Sequence, residues 1–439
     1  MKRKFYSIIL VAITIALSTS SLRAQYLENS DSTFNAGKPM TGHIWGYVFG
    51  DYYYKSHADA LNRGGSNQYS GLAENRNAFQ LRRVYLGYDY NFSKKFSSEL
   101  LLAAEDNFPA GNPPTSASAS GDELLDNKLA FYIKLANIRW KNVWKGTDLV
   151  VGQQATPAFQ GSSEKVWGYR SIERTIADIR RTPSYDLGVG LQGTFDPKTK
   201  NYGYDLLLAN GSSAKPASSS YKWVYGDVWA KFLNQKLIVD IYADYSKLNW
   251  TDSWRHSRQM LKGFIGYNTS PLSIGVEYFI NNLKQDVFAT KTSDNSIDTL
   301  NNVARGISAF VNGDIIKNKL RFFARYDHYI PTNKVNNNIY DKYVINTGNY
   351  NDNSYLSVAS SNAAAVAIGD ETYTQNFITA GFDFMPVKNV HIMPNIWYNH
   401  YSTQLSGDVN NTVNGALASN AKGDYDLVYR ITFYYTFGK

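Results

Sequence analysis

From Tyr425 to Phe437 the side chains alternate between an apolar face and a mostly polar face. The apolar face carries Tyr425, Leu427, Tyr429, Ile431, Phe433, Tyr435 and Phe437, and the other carries Asp426, Val428, Arg430, Thr432, Tyr434 and Thr436. A period of two is the pattern of a β-strand with one face in an apolar environment and the other in water. The segment is therefore typical of a strand that crosses a lipid bilayer in the wall of a barrel.

The same alternation recurs along the chain, although no single segment is decisive. The clearest apolar faces are Val84, Leu86, Tyr88 and Tyr90; Leu129, Phe131, Ile133 and Leu135; Leu237, Val239 and Ile241; Leu272, Ile274, Val276 and Tyr278; and Leu320, Phe322, Ala324 and Tyr326. All such segments together predict about sixteen strands, an even number as in single-chain bacterial barrels. They begin near Gly42, Phe79, Lys95, Lys128, Gly146, Tyr185, Asn201, Trp223, Lys236, Ser257, Pro271, Asn302, Asn318, Tyr373, Lys388 and Asp424.

The connections between these strands alternate between tight turns and long loops. The tight ones are residues 92–95, 140–145, 196–200, 233–235, 268–270, 315–317 and 386–387. The long ones are residues 56–78, 107–127, 155–184, 212–222, 249–256, 282–301, 331–372 and 402–423. Outer-membrane barrels have short periplasmic turns and longer external loops. The sequence therefore predicts an all-β fold, a transmembrane antiparallel β-barrel over residues 42–439, with both termini at the periplasmic end.

The N-terminus has the features of an export signal. Basic residues at positions 2–4 precede an apolar stretch from Ile8 to Leu17, and a small residue, Ala24, follows. The apolar stretch is shorter than the roughly 20 residues that a membrane-spanning helix needs. We therefore expect residues 1–24 to be a signal peptide, residues 25–41 to be a short periplasmic segment, and the protein to reside in the cell outer membrane.

Composition excludes other classes of protein. Four of the 45 basic residues lie in residues 1–24, so 41 remain against 37 acidic residues, and the net charge falls from +8 to +4. A nucleic-acid-binding protein normally has a concentrated basic face, so no nucleic-acid partner is expected. Aromatic residues make up 15% of the chain although the mean hydropathy is −0.39, and cysteine is absent. This combination fits a barrel in which lipid-facing and water-facing residues alternate.

Sequence motifs of catalysis are missing. The chain has no Gly-x-Ser-x-Gly elbow and no His-Glu-x-x-His zinc motif. Its six histidines are scattered: His43, His57, His256, His328, His391 and His400. We therefore expect no enzyme and no cofactor, and the alternative is a hydrolytic site assembled in space from the loops.

The third long loop, residues 155–184, is expected to fold into the barrel. Ser171 is predicted to cap a short helix in which Ile172, Ile176 and Ile179 share one face. Such a face needs an apolar surface to pack against, and in a barrel that surface is the inner wall. The loop is therefore predicted to narrow the channel. Three arginines of the loop lie outside this apolar face and can point in other directions: Arg170, Arg174 and Arg181.

Two stretches of the chain carry a family resemblance. The first has Gly152-Gln153 followed by Thr156-Pro157, then Ile172-Glu173-Arg174, and Arg181 ahead of Asp186-Leu187-Gly188-Val189. The second has Leu81-Arg82-Arg83 leading into Leu86-Gly87 and Phe96. These stretches, within residues 79–195, resemble the phosphate-selective porin family, the porin O and P type of outer-membrane channel. Elsewhere the likeness is one of pattern.

The resemblance implies a homotrimer of anion channels, with the third loop folded inward and basic side chains along the solute path. Fixed positive charge in a narrow passage favours anions. The candidates for this pore constriction are Arg83, Lys134, Arg170, Arg174, Arg180, Arg181, Arg321, Arg325 and Arg430. The chain departs from an anion channel because acidic residues are also predicted to face the lumen, which weakens the case for phosphate selectivity. They are Asp240, Asp244, Glu277, Asp327 and Asp383.

Each basic residue also has a simpler interpretation. It can form an ion pair that braces the wall, as Arg325 can with Asp327, and Glu173 is expected to anchor the loop. No metal site is predicted.

Three functions remain open from the sequence. The favoured one is an outer-membrane porin for passive diffusion of small hydrophilic solutes, with a preference for anions or phosphate. The second is an outer-membrane barrel whose long surface loops, such as residues 331–372, bind a ligand or partner protein. The third is a soluble secreted β-protein that binds glycans. A barrel would have outer-membrane lipid, small solutes or anions, and the barrel-assembly machinery as partners, the last recognising a final strand that ends near Phe437.

Overall fold

The computed structural model describes residues 41–59, 69, 72–105, 124–125, 128–179, 183–215, 220–250, 255–269, 271–331, 338–345, 374–402 and 425–438. The predicted signal peptide and nearly all of the predicted periplasmic segment lie outside these ranges. So do the greater parts of several long loops.

Sixteen antiparallel strands form the wall of a closed barrel. They are β1 (Thr41–His57), β2 (Asn77–Asn91), β3 (Phe96–Glu105), β6 (Tyr132–Trp144), β7 (Thr147–Ala155), β8 (Tyr185–Thr194), β9 (Tyr202–Ala209), β10 (Trp223–Phe232), β11 (Leu237–Trp250), β12 (Arg255–Asn268), β13 (Leu272–Lys291), β14 (Ile297–Ile316), β15 (Leu320–Ile330), β17 (Thr374–Val387), β18 (Val390–Ser402) and β19 (Tyr425–Phe437). Pairing of β1 with β19 closes the sheet. Three shorter strands lie outside the wall: β4 (Leu124–Leu125), β5 (Lys128–Leu129) and β16 (Tyr340–Ile345). The predicted antiparallel barrel is confirmed.

The two faces of the wall follow the predicted alternation. On β13 the side chains of Ile274, Val276 and Tyr278 are exposed on the outside, whereas Glu277 is buried inside. Exposed aromatic residues lie near strand ends, as in the girdles of a bilayer-spanning barrel. They include Phe92, Trp144, Tyr202, Phe232, Phe384 and Phe437.

The hairpin of β13 and β14 differs from the prediction of a long loop at residues 282–301. Both strands continue past the neighbouring wall, and only residues 292–296 form the turn. Val287 pairs with Leu300 on one side and with Ile345 of β16 on the other, which makes a small three-stranded sheet. The asparagine-rich composition of the segment conceals this pairing because it is typical of loops.

Two β-bulges change which residues face the interior. In β2 the pairing with β1 skips Arg82, so that Arg82 and Arg83 both point inward and are buried. In β6 the pairing with β3 skips Lys134, and both Lys134 and Leu135 are buried. The prediction that Leu135 faces the bilayer is therefore wrong, because a bulge inserts one residue and reverses the alternation beyond it.

The third long loop lies inside the barrel, as predicted. It contains two short helices, α1 (Ser163–Trp167) and α2 (Ile176–Ile179). No helix in the described ranges has the length and apolarity needed to cross a membrane. The predicted helix beginning at Ser171 does not form, since residues 171–175 are non-helical, and Ile172 and Ile176 enter two different apolar clusters.

Two of the four apolar clusters in the described residues lie between this loop and the inner wall. The ring of Trp167 packs on Phe310 with centroids 5.3 Å apart, and that of Tyr169 packs on Phe323 at 4.6 Å. Such aromatic pairs contribute about 0.5–1.5 kcal/mol each beyond their buried area. The loop is therefore part of the folded interior.

Candidate constriction inside the barrel

Three arginines of the wall converge on one turn of the third loop. Their guanidinium groups come from β2, β15 and β19 and donate hydrogen bonds to four successive backbone carbonyl oxygens. The pairs are Arg82 with Ser171 (3.1 Å), Arg430 with Ile172 (3.0 Å), and Arg325 with both Glu173 (3.5 Å) and Arg174. We call residues Ser171–Arg174 the anchored turn. Because these carbonyl groups face the wall arginines, the turn is stabilised in its non-helical form.

The same three arginines also contact polar side chains of the wall. The partners are Asp327 for Arg325 (2.8 Å), Asp51 for Arg82 (3.4 Å) and Asn395 for Arg430 (2.7 Å). All three arginines are at most 5% exposed. Because these guanidinium groups are buried and contact both the loop and the wall, a solute in the passage has little access to them. These residues therefore hold the loop in place.

Glu173 reinforces the anchored turn through its side chain. Its Oε2 accepts a hydrogen bond from Trp397 Nε1 (2.9 Å), and its backbone carbonyl accepts one from Trp167 Nε1 (2.9 Å). Further along the loop, the amide of Ala177 donates to Glu277 Oε1 (3.1 Å). Glu173 thus has the anchoring position expected from the sequence.

A charged cluster lies on the inner face of β2, β3 and β6. On this wall the hydroxyl of Tyr85 and the ammonium of Lys134 both donate to the carboxylate of Glu105. Arg83 Nη1 lies 3.6 Å from the same carboxylate. Two basic side chains therefore share one acidic partner.

A second charged network lies on the loop itself. Arg170 Nη1 contacts Glu164 (2.6 Å) and Asp178 (2.8 Å), and Arg174 Nη1 is 3.7 Å from Asp178. The side chains of Arg174, Glu164 and Arg170 remain 24%, 21% and 16% exposed, so they border free space. Burial raises the pKa of Glu164 despite its pairing with Arg170. The pKa of Asp178 is lowered, because the attraction of Arg170 and Arg174 outweighs the effect of burial.

The wall network and the loop network act on each other electrostatically. The charge of Arg170 acts on both Arg83 and Glu105, and the charge of Arg83 acts on Arg174. We call the combined set the charged gap: Arg83, Glu105, Lys134, Glu164, Arg170, Arg174 and Asp178.

The predicted basic residues fall into separate groups in the structure. Four lie in the charged gap: Arg83, Lys134, Arg170 and Arg174. Two hold the anchored turn: Arg325 and Arg430. Arg321 binds Asp314 (2.5 Å) and Asn312 (2.9 Å). Arg180 and Arg181 lie outside the described residues.

The five predicted lumen carboxylates are buried on the inner face of the wall. Each has a basic side chain as neighbour: Lys262 for Asp240 and Glu277, Arg258 for Asp244, Arg325 for Asp327, and His391 for Asp383. Bracing of the wall by ion pairs is thus widespread. Sequence reasoning missed Arg82 as a third anchor and Glu105, Glu164 and Asp178 as the acidic side of the charged gap.

The fold and the interior define the class of protein. A closed antiparallel barrel with an exposed apolar exterior, aromatic strand ends and a charged interior is an outer-membrane β-barrel, and its place is the cell outer membrane. In the described part of the chain, no group of three or more histidine, aspartate or glutamate side chains is arranged to hold a metal ion.

No protein-family model and no curated protein matches the sequence. Among solved structures, the outer-membrane channel DcaP of Acinetobacter baumannii has a TM-score of 0.52 at 11% identity, over 95% of this chain and 100% of that chain. An anion-selective porin from Comamonas acidovorans has a TM-score of 0.51 at 10% identity, over 91% and 100%. A loop-deletion mutant of OmpT, an outer-membrane protein of Vibrio cholerae, has a TM-score of 0.51 at 9% identity, over 91% and 100%. At these identities the likeness establishes the shared barrel fold.

Proposed function

We propose that the protein is a non-enzymatic outer-membrane porin through which small hydrophilic solutes diffuse passively. The observation that carries the proposal is the third loop, which wall arginines fix inside the barrel and whose charged side chains interact electrostatically with those of β2, β3 and β6. A fixed loop inside a barrel sets the width and the charge of the passage. Two structural neighbours, an outer-membrane channel and an anion-selective porin, are consistent with this function.

The charge of the gap supports a weak preference for anions. It holds four basic residues (Arg83, Lys134, Arg170 and Arg174) and three acidic ones (Glu105, Glu164 and Asp178), so its formal net charge is +1. The acidic groups already pair with the basic ones. Such a site attracts small anions through its residual charge, and it lacks the unpaired basic cluster that tight phosphate binding needs.

The proposal includes export by a signal peptide of residues 1–24 and assembly as a homotrimer. Both rest on the sequence, the first on its basic and apolar N-terminus and the second on the resemblance of residues 79–195 to trimeric porins. Chemical cross-linking of the detergent-extracted protein should give a ladder ending at three subunits. N-terminal sequencing of the exported protein should begin near Gln25.

Conduction is the first test. The purified protein should insert into planar bilayers in discrete conductance steps, and under a KCl gradient its reversal potential should indicate a modest excess of chloride over potassium flux. Absence of steps from correctly folded protein would exclude the porin function.

The charged gap is tested by Arg174→Glu. The substitution changes the formal net charge of the gap from +1 to −1, so the reversal potential should move to the cation-selective side. Lys222→Glu is the matched control because Lys222 is exposed next to the first residue of β10, away from the gap residues. Equal shifts in both variants would place the selectivity outside the gap.

One feature supports the second candidate, a barrel that binds a ligand or partner at its surface. The sheet of β13, β14 and β16 continues past the pairing of β13 with β12, which ends at Lys284. It offers an ordered external surface of the kind used in recognition. A folded protein that conducts no ions but shows saturable binding to a soluble ligand would favour this function over the porin.

A further inference from the structure

The short-turn end of the barrel has a charge unlike that of the rest of the chain. The seven short turns are residues 92–95, 145–146, 195–201, 233–236, 269–271, 317–319 and 388–389. They hold nine lysines and one aspartate, which gives +8. The whole chain has 45 basic and 37 acidic residues, so 36 of each remain elsewhere and cancel. Four of the other basic residues lie in the predicted signal peptide, so in the exported chain the turns carry +8 and all other residues together carry −4.

Eight of these lysines are exposed, and they occur in six of the seven turns. We call them the lysine ring: Lys94, Lys95, Lys145, Lys198, Lys236, Lys317, Lys319 and Lys388. Because the turns succeed one another around a closed barrel, the charge is distributed around the rim.

The single acidic residue of these turns does not offset the ring. The carboxylate of Asp196 accepts hydrogen bonds from the backbone amides of Asn201 (2.9 Å) and Tyr202 (2.9 Å) and from the hydroxyl groups of Thr194 (3.0 Å) and Thr199. Its function is to shape its own turn. The lysine ring is therefore available to an anionic partner from outside the chain.

The aromatic girdle fixes the depth of the ring in the membrane. Exposed aromatic residues stand within four positions before five of the turn lysines: Phe92 before Lys94, Trp144 before Lys145, Phe195 before Lys198, Phe232 before Lys236, and Phe384 before Lys388. Aromatic belts lie at the level of the lipid headgroups. A lysine just beyond the belt can keep its methylene chain along the apolar edge while its ammonium reaches the phosphate layer.

We propose that the lysine ring is a binding surface for anionic phospholipid headgroups of the periplasmic leaflet. The ring provides many separate ammonium groups spread around the rim, which matches a belt of individual lipids. It is continuous with the lipid-facing surface, so its ligands reach it without leaving the bilayer. Attraction near an anionic surface corresponds to about a fivefold preference per lysine before screening by salt.

The test uses the full chain in phosphatidylcholine vesicles with a small fraction of labelled phosphatidylglycerol, and it measures the relative association of the two lipids with the protein. Wild type should prefer phosphatidylglycerol several-fold at low salt, and the preference should decrease when salt shortens the screening length. The triple variant Lys94→Gln, Lys236→Gln and Lys317→Gln should lose roughly threefold or more of the preference.

Two further variants identify the cause. The triple Lys215→Gln, Lys222→Gln and Lys284→Gln removes the same charge from exposed residues at the long-loop end and should keep the wild-type preference. Replacing Lys94, Lys236 and Lys317 by arginine should also keep it.

The proposal is overturned if wild type shows no lipid preference or if both glutamine triples lose it equally. It is also overturned if the ring binds a soluble anionic cell-wall polymer while lipid preference is absent. No arm of the experiment depends on ion conduction, so its outcome is independent of the porin proposal.

Discussion

A buried arginine in this barrel stabilises two partners at once, a loop carbonyl and a wall carboxylate. Arg325 makes both kinds of contact, to the anchored turn and to Asp327. Removing it leaves the carboxylate buried without its cation and frees part of the loop. We therefore expect Arg325→Met to lower the free energy of unfolding by about 3–5 kcal/mol. The midpoint of unfolding in urea, followed in lipid vesicles, measures this loss.

Loosening of the loop can be measured separately with a single introduced thiol, because the chain has no cysteine of its own. Thr175→Cys places one thiol beside the anchored turn, at a side chain that is 4% exposed. In this background a water-soluble thiol reagent should react slowly, and Arg325→Met should accelerate the reaction. Arg139→Met, which removes a bond to Asp148 on the wall, is the control and should leave the rate unchanged. Equal rates in all three proteins would mean that Arg325 does not hold the loop.

The anchoring residue Arg82 could have been predicted from the sequence. In a regular strand one of two adjacent residues faces the bilayer, where an arginine costs about 2–4 kcal/mol near the midplane. The neighbours Arg82 and Arg83 in β2 therefore signal a bulge that turns both inward. At Lys134 the flanking residues are Ile133 and Leu135, both apolar, so nothing in the sequence marks the second bulge. The inward position of Leu135 depends on pairing between strands and was not predictable.

At the scale of the strand, the seam between β1 and β19 depends on close packing over glycine. A Cβ atom at Gly46 would lie 2.3 Å from Phe437 Cζ and 2.5 Å from the backbone oxygen of Tyr85. The ring of Phe437 can move, but the backbone oxygen of a wall strand cannot move cheaply. The final aromatic residue therefore packs over the seam that closes the barrel.

We expect Gly46→Ala to destabilise the closed barrel by about 1–3 kcal/mol through overpacking. Gly263→Ala is the matched control, because a Cβ atom there meets nothing within 4 Å. The temperature at which the folded band disappears on a gel should fall for the first variant and remain constant for the second. If both variants behave alike, the seam is not closely packed in the membrane.

Local pattern predicted the wall strands but failed where an element depends on distant partners. The outer faces of β13 and β15 follow directly from alternation. The extension of β13 to Lys291 depends on pairing with β14 and β16, and the non-helical anchored turn depends on arginines far away in the sequence. The spacing of Ile172 and Ile176 predicted one helical face, and this prediction was wrong. Spacing along the sequence contains no information about contacts with distant residues.

At the scale of the whole molecule, the ion selectivity of the channel depends on the summed charge of the gap. Burial raises the pKa of Glu164, with Asp178 adding to it, whereas the nearby arginines lower the pKa of Asp178 despite its burial. As the pH falls, Glu164 therefore takes up a proton before Asp178 does. The formal net charge of the gap then rises from +1 to +2, so the preference for chloride should increase as the pH falls below neutral.

Glu164→Gln separates this carboxyl group from every other titrating group of the channel. With a neutral side chain at position 164, the gap already has its low-pH charge at neutral pH. At neutral pH the variant should already show the chloride preference that wild type reaches in acid, and its own preference should change little as the pH falls. Asp196→Asn, in a short turn outside the barrel wall, is the control and should keep the wild-type pH dependence. A Glu164→Gln channel with the full pH dependence of wild type would show that ions do not pass this side of the loop.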